Sequence, residues 1–156
     1  MLRTGICDCL NIAESKLRVI ALNVGGAFGQ KMALFPEYVF LCWLALRKKR
    51  NFHWIEDRQE NFSSSAHSRD QIHEVNASFN RKGKLLALKT HIKANVGAYS
   101  NYPVTAGVEP LMALAEYTGP YDVSAYSSEA IGVLTNTCMM APYRGVSRPV
   151  ITLSLI

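Results

Sequence analysis

The sequence lacks cysteine pairs at metal-binding spacing and has no long hydrophobic run. Its four cysteines form no CxxC pair, and no second Cys/His pair at zinc spacing follows Cys7 and Cys9, which argues against a structural zinc site. No secretory signal is apparent, so free thiols in a reducing cytoplasm are the simplest prediction. The longest apolar run, Val39–Leu46, is far shorter than the ~20 residues that span a bilayer. We therefore expect a cytoplasmic protein without a membrane partner.

Nucleic-acid-binding patterns are also missing. The 17 Lys and Arg residues against 12 Asp and Glu give a net charge of +5, which favours anionic partners in general. No RNA-recognition, zinc-finger or basic-zipper pattern accompanies the one basic run, Arg47–Arg50. We interpret this run as a helix C-terminus, where cations complement the helix dipole. Nucleic acid is therefore not an expected partner.

Motifs of metal ligation and nucleophilic catalysis are absent as well. The four histidines do not cluster at metal spacing and HExxH does not occur. Neither Gly-x-Ser-x-Gly nor a Cys/His arrangement is present. The charged segment Glu56–Glu60 offers carboxylates for acid–base work, but its alternating signs favour an ion-pair network. The sequence therefore predicts no metal ligand.

The most distinctive segment that is present is the loop Gly25–Gly29. Three glycines in five residues indicate a backbone that turns sharply or closely approaches another group. Phe28 is unusual among them, because a bare turn has no need of a large ring. The loop has neither the glycine offsets of a dinucleotide fingerprint nor the Walker Gly-Lys-Ser/Thr ending. Considered alone, it fits a tight turn and a ligand site equally well.

A second distinctive segment is Ala141–Arg148, in which two arginines lie near Tyr143. Arginine pairs bidentately with phosphate and other planar anions. A basic surface turn is the alternative. Because the rest of the segment is uncharged and largely apolar, we expect Arg144 in a buried or cleft position.

The pattern along the chain predicts an α+β fold, with a mixed sheet, a long antiparallel hairpin and one buried helix. The hairpin is expected from Gln71–Asn80 and Lys84–Tyr99, joined by a turn with Asn first and Gly last. In the second arm, alternate residues from Leu86 to Val96 form the face expected to be buried. The helix is expected to open at Pro36 and to be buried because Tyr38–Leu46 is apolar nearly all round.

The remaining predictions are a set of shorter elements. They are strands at Leu17–Leu22, Phe52–Ile55 and Ser127–Val133, a polar loop at Glu56–Arg69, a helix from Pro110 and an irregular segment at Asn136–Pro149. Both ends of the chain look cut from a larger body, because Met1–Ser15 supplies one helix at most and Val150–Ile156 is apolar and uncapped. We therefore expect residues 1–156 to be a partial domain of a larger subunit, truncated at both ends.

Taken in order, five segments resemble the large, molybdenum-binding subunit of the molybdenum hydroxylases, the family of xanthine dehydrogenase, aldehyde oxidase and carbon-monoxide-dehydrogenase-like enzymes. The resemblance runs from about Asn11 to Thr152, and the five motifs follow the family's order and spacing. The segments are Val24–Lys31, Trp54–Arg58, His67–Asp70, Asn95–Tyr99, and Tyr143–Gly145 with Arg148 and Pro149.

The resemblance implies roles for particular residues. In the family the glycine loop approaches the molybdenum and its pterin, and the Tyr-Arg-Gly segment forms a second active-site loop. Ala27 stands where the family often has glycine. Gly145 stands where true carbon-monoxide dehydrogenases have a copper-holding cysteine, so carbon monoxide is not an expected substrate. The implied cofactor-binding residues are Gly26, Ala27, Phe28, Gly29 and Arg144, and the implied substrate-adjacent residues are Phe28 and Tyr143.

The resemblance also implies a reaction and a set of partners. The implied reaction is the oxidation of an aldehyde or aromatic N-heterocycle with a water-derived oxygen. The implied cofactor is a molybdenum–molybdopterin, expected as a dinucleotide, which carries the chemistry. Iron–sulfur clusters and FAD would lie on partner subunits or domains. The family's base glutamate lies beyond the position of Ile156, and Glu109 and Glu116 are outside the matching motif, so no catalytic residue is assigned. A non-catalytic truncated remnant and a free-standing anion-binding module are the alternatives.

Overall fold

A mixed three-stranded sheet, in the order β1-β2-β3, organises the chain. The computed structural model describes all residues from Met1 to Ile156, and the predicted α+β class is confirmed. The strands are β1 Gln71–Phe79, β2 Leu85–Gly97 and β3 Ala125–Leu134, and the helices are α1 Leu2–Leu10, α2 Pro36–Lys48, α3 Arg58–Ser64, α4 Val108–Glu116 and α5 Arg148–Leu155. None of these helices has the length and hydropathy needed to cross a membrane.

The predicted hairpin is confirmed. β1 pairs antiparallel with β2, and Gln71 lies opposite Ala94. The Asn80 side-chain oxygen accepts hydrogen bonds from the backbone N–H groups of Lys82 and Lys84, each at 2.9 Å. Gly83 takes a positive φ of 79° to complete the turn. Local turn chemistry therefore fixes the register of the hairpin.

The buried face of β2 also follows the prediction, except at its first member. Thr90, Ile92 and Ala94 are fully buried, while Leu86 remains 41% exposed. Leu86 lies at the turn end of the strand, and the core begins at the next inward position. That core consists of Leu88, Ile92, Ala113, Tyr117 and Ile151.

The third strand is parallel to β2, with Ala87 opposite Ala125. Parallel strands need a crossover connection, and α4 lies within the connection between β2 and β3. The helix predicted from Pro110 begins at Val108, and the strand predicted at Ser127–Val133 extends over Ala125–Leu134. α4 thereby places Ala113 and Tyr117 against the sheet.

Two predicted strands, Leu17–Leu22 and Phe52–Ile55, do not form. Both segments are extended or irregular and pair with no other strand. A strand requires a neighbour to complete its hydrogen-bond ladder, and these segments have none in this chain. Leu22 is accordingly 82% exposed.

The helix predicted to be buried is present as α2, but its burial was predicted wrongly. Pro36 occupies its first turn, Glu37 is acidic there and the end is basic, as expected. None of its residues is buried, because its one packing partner among the elements is α1. Phe40 and Trp43 stack with their ring centroids 6.0 Å apart, and both rings are exposed.

Two further segments are more regular than predicted. The polar loop Glu56–Arg69 contains α3, which opens with a capping box between Asp57 and Glu60. The Glu60 N–H donates to the Asp57 side chain at 2.8 Å, and the Asp57 N–H donates to the Glu60 side chain at 2.9 Å. The apolar end Val150–Ile156 is largely helical, as part of α5.

Candidate functional site

The glycine loop and the Tyr143–Val146 turn, far apart in sequence, touch in the folded chain. The backbone N–H of Arg144 donates to the carbonyl oxygen of Phe28 at 2.8 Å. Gly29 has a φ of 105°, and a Cβ there would come within 2.9 Å of the Pro142 carbonyl carbon. Only glycine fits this conformation and this approach. The two segments singled out by the sequence therefore form one surface.

The glycine loop presents a row of unused hydrogen-bond donors. None of the backbone N–H groups from Gly25 to Gly29 donates to another group of the chain. The backbone is left-handed at Gly25, Phe28 and Gly29, so successive peptide planes change direction sharply. Free N–H groups in such a turn form an anion-binding concavity.

Arg144 adds a cation beside this loop. Its Cζ lies 5.7 Å from the centre of the Phe28 ring, a distance at which a guanidinium is attracted by the face of the ring. The expected buried or cleft position is wrong, because Arg144 is exposed. Within the segment Ala141 is buried, whereas Tyr143 and Arg144 lie on the exposed turn.

Arg69 contributes to the same surface, although no role was predicted for it. Its guanidinium donates to the carbonyl oxygens of Arg144 and Val146, the latter at 3.3 Å. Its Cζ lies 4.8 Å from the centre of the Tyr143 ring. The available signal was the position of Arg69 in the His67–Asp70 motif, immediately before β1.

A buried carboxylate, that of Glu109, lies beneath Arg69. Glu109 is 4% exposed and accepts hydrogen bonds from the Ser68 hydroxyl, the Arg69 N–H at 3.0 Å and the Gln71 amide at 2.9 Å. The Ser147 hydroxyl donates to the Glu109 carbonyl oxygen at 2.7 Å. A buried carboxylate requires donors, and those of Glu109 all come from Ser68, Arg69 and Gln71 at the start of β1. The sequence signal was an acidic residue in the first turn of an otherwise largely apolar helix.

The network continues towards the core through His73. One ring nitrogen of His73 lies 2.8 Å from the Gln71 side-chain oxygen, and the other lies 2.9 Å from the Tyr117 hydroxyl. Burial lowers the pKa of His73, so the ring is neutral near pH 7. Burial also raises the pKa of Tyr117, which keeps its hydroxyl protonated.

A cleft of about 240 Å³ opens between the two loops and the start of β1. The backbones of His67 and Ala141 pair across one side of it, with the Ala141 N–H 2.9 Å from the His67 carbonyl oxygen. No three His, Cys, Asp or Glu side chains are close enough to hold a metal. The cleft is lined by Gln30, Ala66, His67, Ser68, Arg69, Ala141, Pro142 and Tyr143.

The donors at this surface suit an anionic group rich in oxygen or in other hydrogen-bond acceptors. Backbone N–H groups and a guanidinium donate hydrogen bonds and accept none. They bind anions and do not bind cations. A pterin that carries phosphate and its own metal-binding atoms has the acceptors this surface requires, so the residues present fit such a group.

Comparison with known proteins agrees with this chemistry. The profile of the molybdopterin cofactor-binding domain matches residues 1–155. The chain is 35% identical over 138 residues to the nicotine 6-hydroxylase large subunit of Paenarthrobacter nicotinovorans, covering 88% of this chain and 17% of that protein. It is 31% identical over 142 residues to the carbon monoxide dehydrogenase large chain of Hydrogenophaga pseudoflava, covering 87% and 17%.

A solved structure shows the same fold. Quinoline 2-oxidoreductase from Pseudomonas putida 86 superimposes with a TM-score of 0.89 at 41% identity, over 93% of this chain and 18% of that chain. The chain thus spans less than a fifth of the length of these relatives. The profile match over nearly the whole chain, together with these relatives, shows that the chain belongs to the molybdopterin cofactor-binding domain family of molybdenum-dependent hydroxylase large subunits.

Proposed function

We propose that this chain supplies the glycine-loop side of a molybdopterin site in the large subunit of a molybdenum hydroxylase. The observation that carries the proposal is the hydrogen bond from the Arg144 N–H to the Phe28 carbonyl oxygen. This bond joins the two motifs beside the glycine-loop N–H groups, which donate to no other group of the chain. In this proposal residues 1–156 are a partial domain, and the base is contributed from outside it. The assigned cofactor-binding residues are Gly26, Ala27, Phe28, Gly29 and Arg144.

Each part of the site has a distinct task in this proposal. The N–H groups of Gly26–Gly29 bind the acceptor atoms of the cofactor, and Arg144 balances its negative charge. Phe28 and Tyr143, which are 55% and 46% exposed, orient a substrate and exclude water around it. When bound, the molybdenum cofactor supplies the redox chemistry that transfers a water-derived oxygen to the substrate.

The proposed substrate is an aldehyde or an aromatic N-heterocycle. Two relatives are named for nicotine and quinoline, which are both aromatic N-heterocycles. Such flat rings stack well against exposed aromatic side chains, which Phe28 and Tyr143 offer. Aromatic stacking therefore favours the heterocycle within the proposed class.

The proposed cofactor is the dinucleotide form, with electrons leaving through iron–sulfur clusters and FAD on partner subunits or domains. One relative is named as subunit gamma of a dehydrogenase complex, which supports partner subunits of this kind. We place the assembly in the cytoplasm, because the cysteines are free and a reducing compartment keeps them so.

A chimera tests the proposal directly. Residues 1–155 would replace the matching segment of the quinoline 2-oxidoreductase large subunit, and the purified complex would be analysed for molybdenum and for pterin fluorescence. We expect one molybdenum per large subunit and measurable turnover. A folded chimera without molybdenum would contradict the proposal and favour a non-catalytic remnant.

Two substitutions in the active chimera then test the assigned residues. Phe28→Ala and Arg144→Ala should each lower turnover by at least about tenfold, because both remove groups that orient or stabilise charge at the reacting centre. Tyr121→Ala and Arg3→Ala remove an exposed aromatic and an exposed cation elsewhere and serve as matched controls. Unchanged turnover in both test variants would remove Phe28 and Arg144 from the site.

A further inference from the structure

We propose that Arg69 and Glu109 are positioning residues that hold the Tyr143–Val146 turn against the glycine loop. The catalytic meaning of this arrangement rests on the function proposed above. The inference itself concerns contacts within the chain. Neither residue was assigned a role from the sequence, and neither belongs to the set assigned to the cofactor.

The backbone and the side chain of Arg69 form hydrogen bonds with two different segments. Its backbone N–H donates to the buried Glu109 carboxylate at 3.0 Å, while its guanidinium reaches the carbonyl oxygens of Arg144 and Val146. Arg69 has a φ of 70°. A non-glycine residue keeps such a conformation when its surroundings determine it strongly. The Glu109 carboxylate, bound to the N–H of that same residue, is such a determinant.

Glu109 also fixes the far end of the turn. The Ser147 hydroxyl is 2.7 Å from the Glu109 carbonyl oxygen, and the Gln71 amide bridges the Glu109 carboxylate and the Ser147 hydroxyl at 2.9 and 3.1 Å. Ser147 immediately follows the turn and is fully buried. The turn is therefore held from α4 at its end and by Arg69 along its length.

The contacts form one continuous path to the glycine loop. Glu109 binds the Arg69 backbone, the Arg69 guanidinium binds the Arg144 carbonyl, and the Arg144 N–H binds the Phe28 carbonyl. The Tyr143 ring lies under the same guanidinium. Loss of Arg69 would free the carbonyls of the turn, so the Arg144–Phe28 contact would open more often while the sheet stayed intact.

Residue-resolved hydrogen exchange of the full 156-residue chain tests this. The informative variant is Arg69→Asn, because asparagine tolerates left-handed backbone and the change removes the guanidinium without new strain. We expect the Arg144 amide to exchange at least about tenfold faster, since hydrogen bonds from a charged donor are lost. The amides of Ile92 and Ala94 in the central strand should keep their rates.

Two further variants sharpen the test. Glu109→Gln keeps the side-chain shape but turns an N–H₂ group towards donors, so it should also accelerate the Arg144 amide. Arg69→Lys keeps the charge with one compact donor group, and should give an intermediate rate. Arg3→Gln, which removes an exposed arginine paired with Glu14, is the control and should change neither set of amides.

Specific outcomes would overturn the inference. If loop and strand amides accelerate together, Arg69 acts on global stability and is not a positioning residue. If the Arg144 amide is unchanged in both Arg69→Asn and Glu109→Gln, the path does not hold the turn. The measurement needs no cofactor, so a chimera that fails to bind molybdenum would refute the proposed function and leave this result standing.

Discussion

Left-handed backbone at non-glycine residues is concentrated around a single contact. Phe28, Arg69 and Val146 have φ values of 51°, 70° and 51°, and all three surround the hydrogen bond from Arg144 to Phe28. The other two cases, Asn11 and Lys49, are helix C-caps, where this conformation is ordinary. Each residue held in this way costs on the order of 1–3 kcal/mol. Such conformations tend to cluster at functional sites, and here two of the three lie on the glycine loop and on the Tyr143–Val146 turn.

His73 makes stability depend on pH. Burial lowers its folded-state pKa below the unfolded value of about 6.5, so the unfolded chain binds the proton more readily. The stability contributed by neutral His73 is therefore present above about pH 6.5 and is lost as the pH falls towards the folded pKa. We expect the urea midpoint of the full chain to fall between pH 7 and pH 5.5.

The control for this prediction is His73→Gln, which keeps a polar side chain near Tyr117 and Gln71 without titrating in this range. Its urea midpoint should depend less on pH than that of the wild-type chain. An equal pH dependence in both proteins would show that another group is responsible.

For helices and strands, the local sequence sets the tendency to form an element, and the neighbouring elements determine whether it pairs or is buried. The hairpin formed where predicted because alternation and the Asn80–Gly83 turn are encoded in adjacent residues. Leu17–Leu22 has the composition of a strand but no neighbour to pair with, and α2 has an apolar sequence but packs on α1 alone. Composition describes what an element could bury, and its neighbours decide whether it does.

The capping box of α3 gives an element-scale prediction. Asp57→Ala removes the acceptor for the Glu60 N–H and should destabilise α3 by about 1 kcal/mol. Because α3 has no buried residue, the loss should be local. The α3 amides should exchange faster by about fivefold while those of β2 keep their rates.

Ser63→Ala is the matched control for α3. Its hydroxyl donates to the Gln59 carbonyl within the helix, and alanine has the higher helix propensity. The α3 amides should therefore keep or gain protection in this variant. If Asp57→Ala leaves α3 protection unchanged, the cap does not stabilise the helix.

Across the whole molecule, many large apolar side chains remain exposed. The exposed side chains include Ile20, Leu22, Phe40, Trp43 and Ile55, on the segment before the glycine loop, on α2 and on the segment before α3. Large exposed apolar areas mark interaction surfaces or promote association. The Tyr143–Val146 turn is meanwhile linked to α4 by the buried hydrogen bond from Ser147 to the Glu109 carbonyl oxygen.

The purified chain is therefore expected to bind a hydrophobic dye and to self-associate, and to retain no stoichiometric molybdenum by itself. Leu22→Lys with Ile20→Lys should reduce dye binding and association, because the two side chains are 82% and 61% exposed. Lys89→Gln, on the polar face of β2, is the control. A monomer without dye binding, or tightly bound pterin in the isolated chain, would contradict these expectations.

The sequence by itself determined the α+β class, the hairpin with its register, and the two segments that meet at the site. These features depend on periodicity, turn residues and motif order, which neighbouring residues encode. Only the tertiary structure decided that Arg144 lies exposed against Phe28, that Arg69 holds its carbonyl and that Glu109 anchors Arg69 from a buried position. Such contacts join residues distant in the chain, and their geometry is fixed only when the helices close over the sheet.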